Sequence, residues 1–233
     1  MVQTFDEQCI VSDIVKQFPK SSDLFKSYRI DFCCGGNRPL REAIEKRNLP
    51  KEEVLQRLNK LYEENEALNQ KQINWDTASS SELIDHIIQK HHHYLQEELP
   101  NLSPFVTKVM KVHGGKQPHL RVIHKLFNEL KTELEQHTLK EENEDFPLII
   151  EYETNPTEEQ LQIIQTKLAD LEDEHSHAGD VLKELREITN DYSPPEGACG
   201  TYRLVYNRLE ELEAETFQHI HLENNILFPR YMS

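Results

Sequence analysis

Apolar residues recur every three or four positions along most of the chain, the period of helices with one buried face. In CIVSDIVKQFP (residues 9–19) that face holds Ile10, Ile14, Val15 and Phe18. SSDLFKSY reads as a short capped helix, DFCCGG as a turn at Gly35 and Gly36, and residues 40–47 as a third helix. Pro50 opens a fourth, striped by Val54, Leu55, Leu58 and Leu61. Residues 1–62 are therefore expected to form a small helical domain, and the polar stretch over 63–78 a linker.

Beyond the linker the pattern lengthens. Residues 79–233 predict four long amphipathic helices, which pack most simply as an antiparallel four-helix bundle. The first begins at a capping box, Ser79 with Glu82; Pro100 and Pro104 are expected to interrupt it before it continues to His113. The second runs from Pro118 to Asp145 and stops before Pro147. The third follows Pro156 and reaches Asn190, and the fourth spans Thr201 to Leu227. With only seven glycines and long Glu/Lys/Leu/Gln-rich stretches, the expected fold class is all-α.

Three of these helices carry polar residues inside their apolar seams. The third reads Ile164, Leu168, Leu171, His175, Ala178, Leu182, Leu185. The fourth reads Val205, Leu209, Leu212, Thr216, His219, Glu223, Ile226, and the second Ile123, Phe127, Leu130, Leu134, His137, Glu141. A buried carboxylate is costly unless it is paired or binds a metal, and no Lys or Arg occupies these seams. A single core histidine usually finds an ordinary hydrogen bond. Here, however, the arrangement is written twice: HTLKEENEDFP (137–147) and HIHLENNILFP (219–229) align without a gap. His and Glu four apart share one helix face and can reach one point between helices.

The first helix adds His91, His92 and His93 after Leu83, Ile84, Ile87 and Ile88. At about 100° per residue His91 lies nearest the middle of the apolar face and His92 near its edge. The repeat favours His92, which precedes His137 by 45 residues as His175 precedes His219 by 44. Two copies of His…His-x-x-x-Glu result: His92, His137, Glu141 and His175, His219, Glu223. Four imidazoles and two carboxylates suit two borderline metal ions with carboxylate bridges, and bridges with open positions suit iron. The Glu-x-x-His pattern of ferritin-like sites is absent.

Charge sharpens the division into domains. Residues 1–75 hold 12 acids and 12 bases; residues 76–233 hold 30 acids and 14 bases. The net charge of -16 argues against nucleic acid or an anionic membrane surface as partner. No apolar run is long enough to span a membrane, and MVQTFDEQCI lacks the features of a secretory signal, so a cytoplasmic protein is expected. Cys9, Cys33, Cys34 and Cys199 are accordingly expected to be reduced.

The histidine-rich set resembles the hemerythrin-like di-iron bundles. The whole chain is similar, more specifically, to the iron–sulfur cluster repair di-iron proteins (the ScdA/YtfE, or RIC, family). The resemblance is carried by DFCCGG (31–36), DHIIQKHHH (85–93), HTLKEENEDFP (137–147), EHSHAG (174–179), PPEGACGTYR (194–203) and HIHLENNILFP (219–229). It implies His92, His137, Glu141, His175, His219 and Glu223 as ligands of two non-haem irons, with Glu141 and Glu223 bridging and an oxo or hydroxo bridge between the metals. It further implies repair of clusters damaged by oxidative or nitrosative stress, with damaged iron–sulfur proteins as clients. Nitric oxide or oxygen would be the small ligands, and the chemistry either iron donation or nitric oxide reduction, so turnover as an enzyme stays open, as does a homodimer. One departure from symmetry is visible: the first repeat ends EDFP where the second ends ILFP.

Two other functions compete: a hemerythrin-type protein that binds or senses oxygen or nitric oxide, and a structural metal-binding bundle. The vicinal Cys33 and Cys34 allow two readings as well, incidental packing or an exposed thiol pair at a helix start, where thiolate is favoured. The resemblance supports the second, as a redox or iron-handling element. Cys199 receives no role, and His113, His124 and His177 lie off the seams and are expected to be solvated.

Overall fold

The structure, a computed structural model, describes residues 4–67, 75 and 77–232. Among these residues helices form the fold, and the one β-type pairing is an isolated bridge between Ile10 and Pro39. Contacts divide the chain into two compact units, Ser80–His219 and Met1–Ser79 together with Ile220–Ser233.

The smaller unit contains α1 (Val11–Gln17), α2 (Ser21–Ser27), α3 (Leu40–Lys46) and α4 (Lys51–Ala67). Most of the apolar faces read from the sequence lie in its core: Ile14, Val15, Phe18, Val54 and Leu58 are buried, whereas Ile10, Leu55 and Leu61 are half-buried. Asn59 ties the chain's beginning to α4, donating from Nδ2 to the Phe5 carbonyl at 2.8 Å and accepting from the Thr4 and Phe5 amides at 2.9 Å. The linker expected over 63–78 begins as the end of α4; its residues 68–74 and 76 lie outside the described residues. Between α2 and α3 the thiol loop folds on Asp31, whose Oδ1 accepts from the amides of Cys33 (3.2 Å) and Gly35 (3.0 Å). Gly36 is required here, because a Cβ would collide with the Phe32 carbonyl.

The larger unit is built on four helical runs. The first joins α5 (Ser80–His86), a π-helical segment π1 (Ile87–His92) and α6 (His93–His113). The second joins α7 (His119–Lys140), π2 (Glu141–Asp145) and α8 (Phe146–Thr154). The third is α9 (Glu158–Ile188), capped by Thr157 Oγ1 accepting from the Gln160 amide at 3.2 Å. The fourth is α10 (Gly200–Leu222), which belongs to this unit as far as His219; the chain then continues as π3 (Glu223–Leu227), counted with the smaller unit. Leu102, Phe127, Leu130, Leu182, Leu185 and Leu212 meet in one core drawn from all four.

Two expected breaks do not occur. Helix α6 runs through Pro100 and Pro104, although each proline lacks the N–H for a bond one turn back. Its stripe of Leu95, Leu99, Leu102, Val106 and Val109 is buried throughout, and that packing outweighs the lost backbone bonds. The second run likewise does not stop before Pro147 but passes through π2 into α8. After α9, Asn190, Asp191 and Tyr192 all adopt left-handed backbone conformations, with φ of 50°, 57° and 51°. Arg186 steadies this turn, reaching Asp191 Oδ1 at 3.1 Å and Glu213 Oε1 at 2.9 Å.

Candidate metal centre

Five of the six expected ligands meet inside the larger unit, each from a different position in the bundle. His92 ends π1, His137 lies on α7, Glu141 opens π2, His175 sits mid-way along α9 and His219 near the end of α10. All are buried. The Nε2 atoms of His137 and His175 are 2.9 Å apart, and those of His92 and His219 are 3.2 Å apart. Glu141 stands between the pairs: its Oε2 is 3.2 Å from His137 Nε2, 3.3 Å from His92 Nε2 and 3.9 Å from His219 Nε2. The donor atoms of His92, Glu141 and His219 thus lie within 4.8 Å of one another, as do those of His137, Glu141 and His175. Glu223 follows His219 by four residues in the same uninterrupted helical run and is fully buried.

The repeated motif encodes a change of winding. In both copies the helix is α up to the residue before Glu, π over Glu and the next four residues, and then meets Phe-Pro. A π segment accommodates one residue more than an α-helix over the same length, and such segments gather at functional sites. Pro147 and Pro229 follow where the hydrogen-bond ladder changes pitch, the place where a missing N–H is best absorbed. The same device bears on the choice between His91 and His92. Across π1 the winding lags α-geometry by about one residue, so the inward position passes from His91 to His92. His91 is buried as well, with Nδ1 3.2 Å from Glu215 Oε2 and its ring stacked beside His219 at 6.1 Å.

Two further carboxylates orient the imidazoles. His92 Nδ1 pairs with Glu142 Oε1 at 2.9 Å and His137 Nδ1 with Glu174 Oε2 at 2.7 Å. An Nδ1–H given to a carboxylate leaves Nε2 bare and aimed at the centre, the arrangement of metal-binding histidines. The bonds from His137 and then Lys140 hold the Glu174 carboxyl down to about 2. The donor set fits a cation pair. An imidazole pair this close can share only one hydrogen, whereas a cation can take both nitrogens, and both triplets offer imidazole nitrogen around one shared carboxylate. A cleft of about 500 Å³, lined by Glu133, His137, Lys140, Glu174, His175 and His177 among others, reaches this side of the centre.

A family model described as "Hemerythrin HHE cation binding domain" matches residues 83–231, and one described as "Domain of Unknown function (DUF542)", ScdA_N, matches residues 7–62. The iron–sulfur cluster repair protein ScdA of Staphylococcus epidermidis is 39% identical over 224 residues, covering 95% of this chain and 96% of the relative. ScdA of Staphylococcus haemolyticus is 38% identical over 224 residues, covering 96% and 98%. The iron–sulfur cluster repair protein YtfE of Escherichia coli is 34% identical over 223 residues, covering 96% of each. The chain belongs to the ScdA/YtfE family of iron–sulfur cluster repair proteins.

In this member of the ScdA/YtfE family the two readings of the thiol pair divide between its residues. Cys33 is buried, and burial pushes its thiol well above the usual range; Cys34 is half-exposed. Their sulfurs are 3.8 Å apart, and Cys33 Sγ lies 3.4 Å from Asp31 Oδ1. The pair is not at a helix start, because Gly35, Gly36, Asn37, Arg38 and Pro39 intervene before α3. Of the histidines expected in solvent, His177 is exposed, with Glu133 Oε1 at 3.1 Å. His113 and His124 are half-buried: His113 packs edge-on to Tyr202, and His124 Nε2 lies 3.1 Å from Thr107 Oγ1. Cys199 is exposed, its sulfur 3.4 Å from His113 Nε2.

Proposed function

We propose that this protein repairs iron–sulfur clusters damaged by oxidative or nitrosative stress, with two non-haem irons held by His92, His137, Glu141, His175, His219 and Glu223. The observation that carries this reading is the position of Glu141 Oε2 between two imidazole pairs, where one carboxylate can serve two cations. Glu223, given the same place as Glu141 by the repeat, would be the second carboxylate holding the metals. Iron bound there supplies redox chemistry and open coordination positions for a small ligand such as nitric oxide or oxygen.

The protein's own groups set how firmly the metals are held. Glu142 and Glu174 fix the tautomers of His92 and His137, and the cleft beside His137 and His175 gives solvent a route to the ligands. The name shared by the relatives, cluster repair, makes damaged iron–sulfur proteins the clients. The thiols of the smaller unit are the element that passes iron or electrons onward. No helix among the described residues is long and apolar enough to cross a membrane, which is consistent with clients met in the cytoplasm.

The test is metal analysis and Mössbauer spectroscopy on protein purified without oxygen, beside recovery of an enzyme whose cluster has been damaged. Two irons per chain and recovered client activity are expected. A protein that holds only zinc, or that binds oxygen reversibly without restoring any cluster, would overturn the reading.

A further inference from the structure

The last helical run carries two polar pairs, each four residues apart and offset from each other by two. His219 and Glu223 are the proposed ligands; His221 and Asn225 are not explained by that role. Both of the latter are buried, and both are occupied with the backbone of the thiol loop. Asn225 Nδ2 donates to the Cys33 carbonyl at 3.2 Å. His221 Nδ1 lies 3.3 Å from the Phe32 carbonyl, and its ring meets the Phe32 ring edge-on at 5.9 Å. A carbonyl can only accept, so His221 carries a proton on Nδ1 and gives it to Phe32. That leaves Asn225, whose Nδ2 is also 3.2 Å from His221 Nδ1, to direct its hydrogens at Cys33.

The other side of the loop is fastened too. Arg38 Nε donates to the Gly35 carbonyl at 2.6 Å and the Ser12 amide to the Gly36 carbonyl at 3.0 Å. With Asp31 holding the amides of Cys33 and Gly35, the backbone has little freedom to turn either sulfur over. Nor can the two sulfurs join easily. Neighbouring Cα atoms are about 3.8 Å apart across a trans peptide, short of the roughly 4.4–6.8 Å a disulfide spans, and a pinned backbone cannot adjust.

We propose that His221 and Asn225 are positioning residues for the thiol pair: by holding the Phe32 and Cys33 carbonyls they keep Cys33 inward and Cys34 toward solvent, as two separate thiols, so that Cys34 is the one that meets a thiol-reactive partner. The link to repair rests on the function proposed above; the placement of the thiols does not.

The experiment uses the iron-loaded full chain with Cys9 and Cys199 changed to Ser. It is treated with N-ethylmaleimide, and modification of Cys33 and Cys34 is followed by peptide mass spectrometry. Cys34 should react about tenfold or more faster than Cys33, and Asn225→Ala or His221→Ala should raise the Cys33 rate by about tenfold, the factor that one lost hydrogen bond gives a local opening. His221→Gln, which can still donate to Phe32, should restore much of the protection. Equal rates at the two thiols, or an unchanged Cys33 rate in both alanine variants, would overturn the proposal. Should the alanine variants fail to fold by circular dichroism, the unsubstituted pair decides. Its preference for Cys34 must vanish in urea, and a preference that persists there is intrinsic and ends the argument. Repair is measured in the same samples. An altered thiol pattern with full repair keeps the positioning role and removes the thiols from repair; an unaltered pattern removes the positioning role.

Discussion

His137 and His175, on α7 and α9, bring their Nε2 atoms to 2.9 Å although 38 residues separate them. Removing either nitrogen opens one of the two triplets around Glu141. His175→Ala should therefore leave half or less of the iron of the parent protein after anaerobic reconstitution. His177→Ala should leave it unchanged, since its side chain is 53% exposed and points about 200° away round the helix. Metal analysis of the two variants side by side decides, and equal losses would sink the ligand assignment.

Glu142→Gln and Glu174→Gln test the outer partners. Each keeps the shape of the side chain and weakens its hold on an imidazole. Loss of such a partner typically lowers metal affinity by about 10–100-fold. Competition with a chelator should show that drop while helix content stays constant. Unaltered affinity in both would mean that packing alone orients His92 and His137.

The pair of Arg186 and Glu213 should matter for stability and not for iron. Arg186 Nε reaches both Glu213 oxygens, at 2.9 and 3.0 Å, and Glu213 is only 1% exposed. Breaking such a buried pair leaves a charge without its partner, which costs about 3–5 kcal/mol. Urea unfolding of Arg186→Met should show a loss of that order. Adding Glu213→Leu should recover most of it, with iron content intact in whatever fraction is folded.

Gly36→Ala should disorder the thiol loop, since its Cβ would meet the Phe32 carbonyl, a backbone atom that cannot swing aside. Gly115→Ala, with nothing within 4 Å of the added carbon, is the matched control. Hydrogen exchange should rise over residues 31–40 in the first variant and remain as in the parent in the second.

Replacing both Cys33 and Cys34 by Ser should preserve the iron spectrum, because neither residue is among the proposed ligands. Repair of a damaged client should fall, as serine neither forms a disulfide nor binds iron as thiolate does. Full repair by the double variant would leave the bundle to act alone.

Where helices keep a strict α period, the sequence could be read directly. The seam of α9 runs from Ile164 to Leu185 and every member, His175 included, is buried. The winding changes at π1, and there counting by 100° steps points at His91, while the repeat and the resemblance, which carry their own register, point at His92, whose ring nitrogen lies beside Glu141. The prolines misled for a related reason, since local preference at Pro100 and Pro104 is overridden by a buried stripe formed in three dimensions. Glu142 and Glu174 could not be picked from 42 acidic residues, because only tertiary contact sets them apart, though each adjoins a ligand in sequence. His221 and Asn225 were hidden by distance: their partners, Phe32 and Cys33, lie 189 and 192 residues earlier.

The assignment of residues 220–233 to the same unit as residues 1–79 has a consequence for how the protein is made. Helix α1 rests on π3, so an element made early waits for one made much later in synthesis. At roughly 5–20 residues per second the bundle between them takes on the order of ten seconds to synthesise. Throughout that interval the loop of Cys33 and Cys34 lacks both His221 and Asn225. A chain stopped before residue 221 therefore keeps the holds of Asp31, Arg38 and Ser12 on the thiol loop but lacks those of His221 and Asn225, and by the positioning role proposed for them its Cys33 opens more readily to a chaperone or protease.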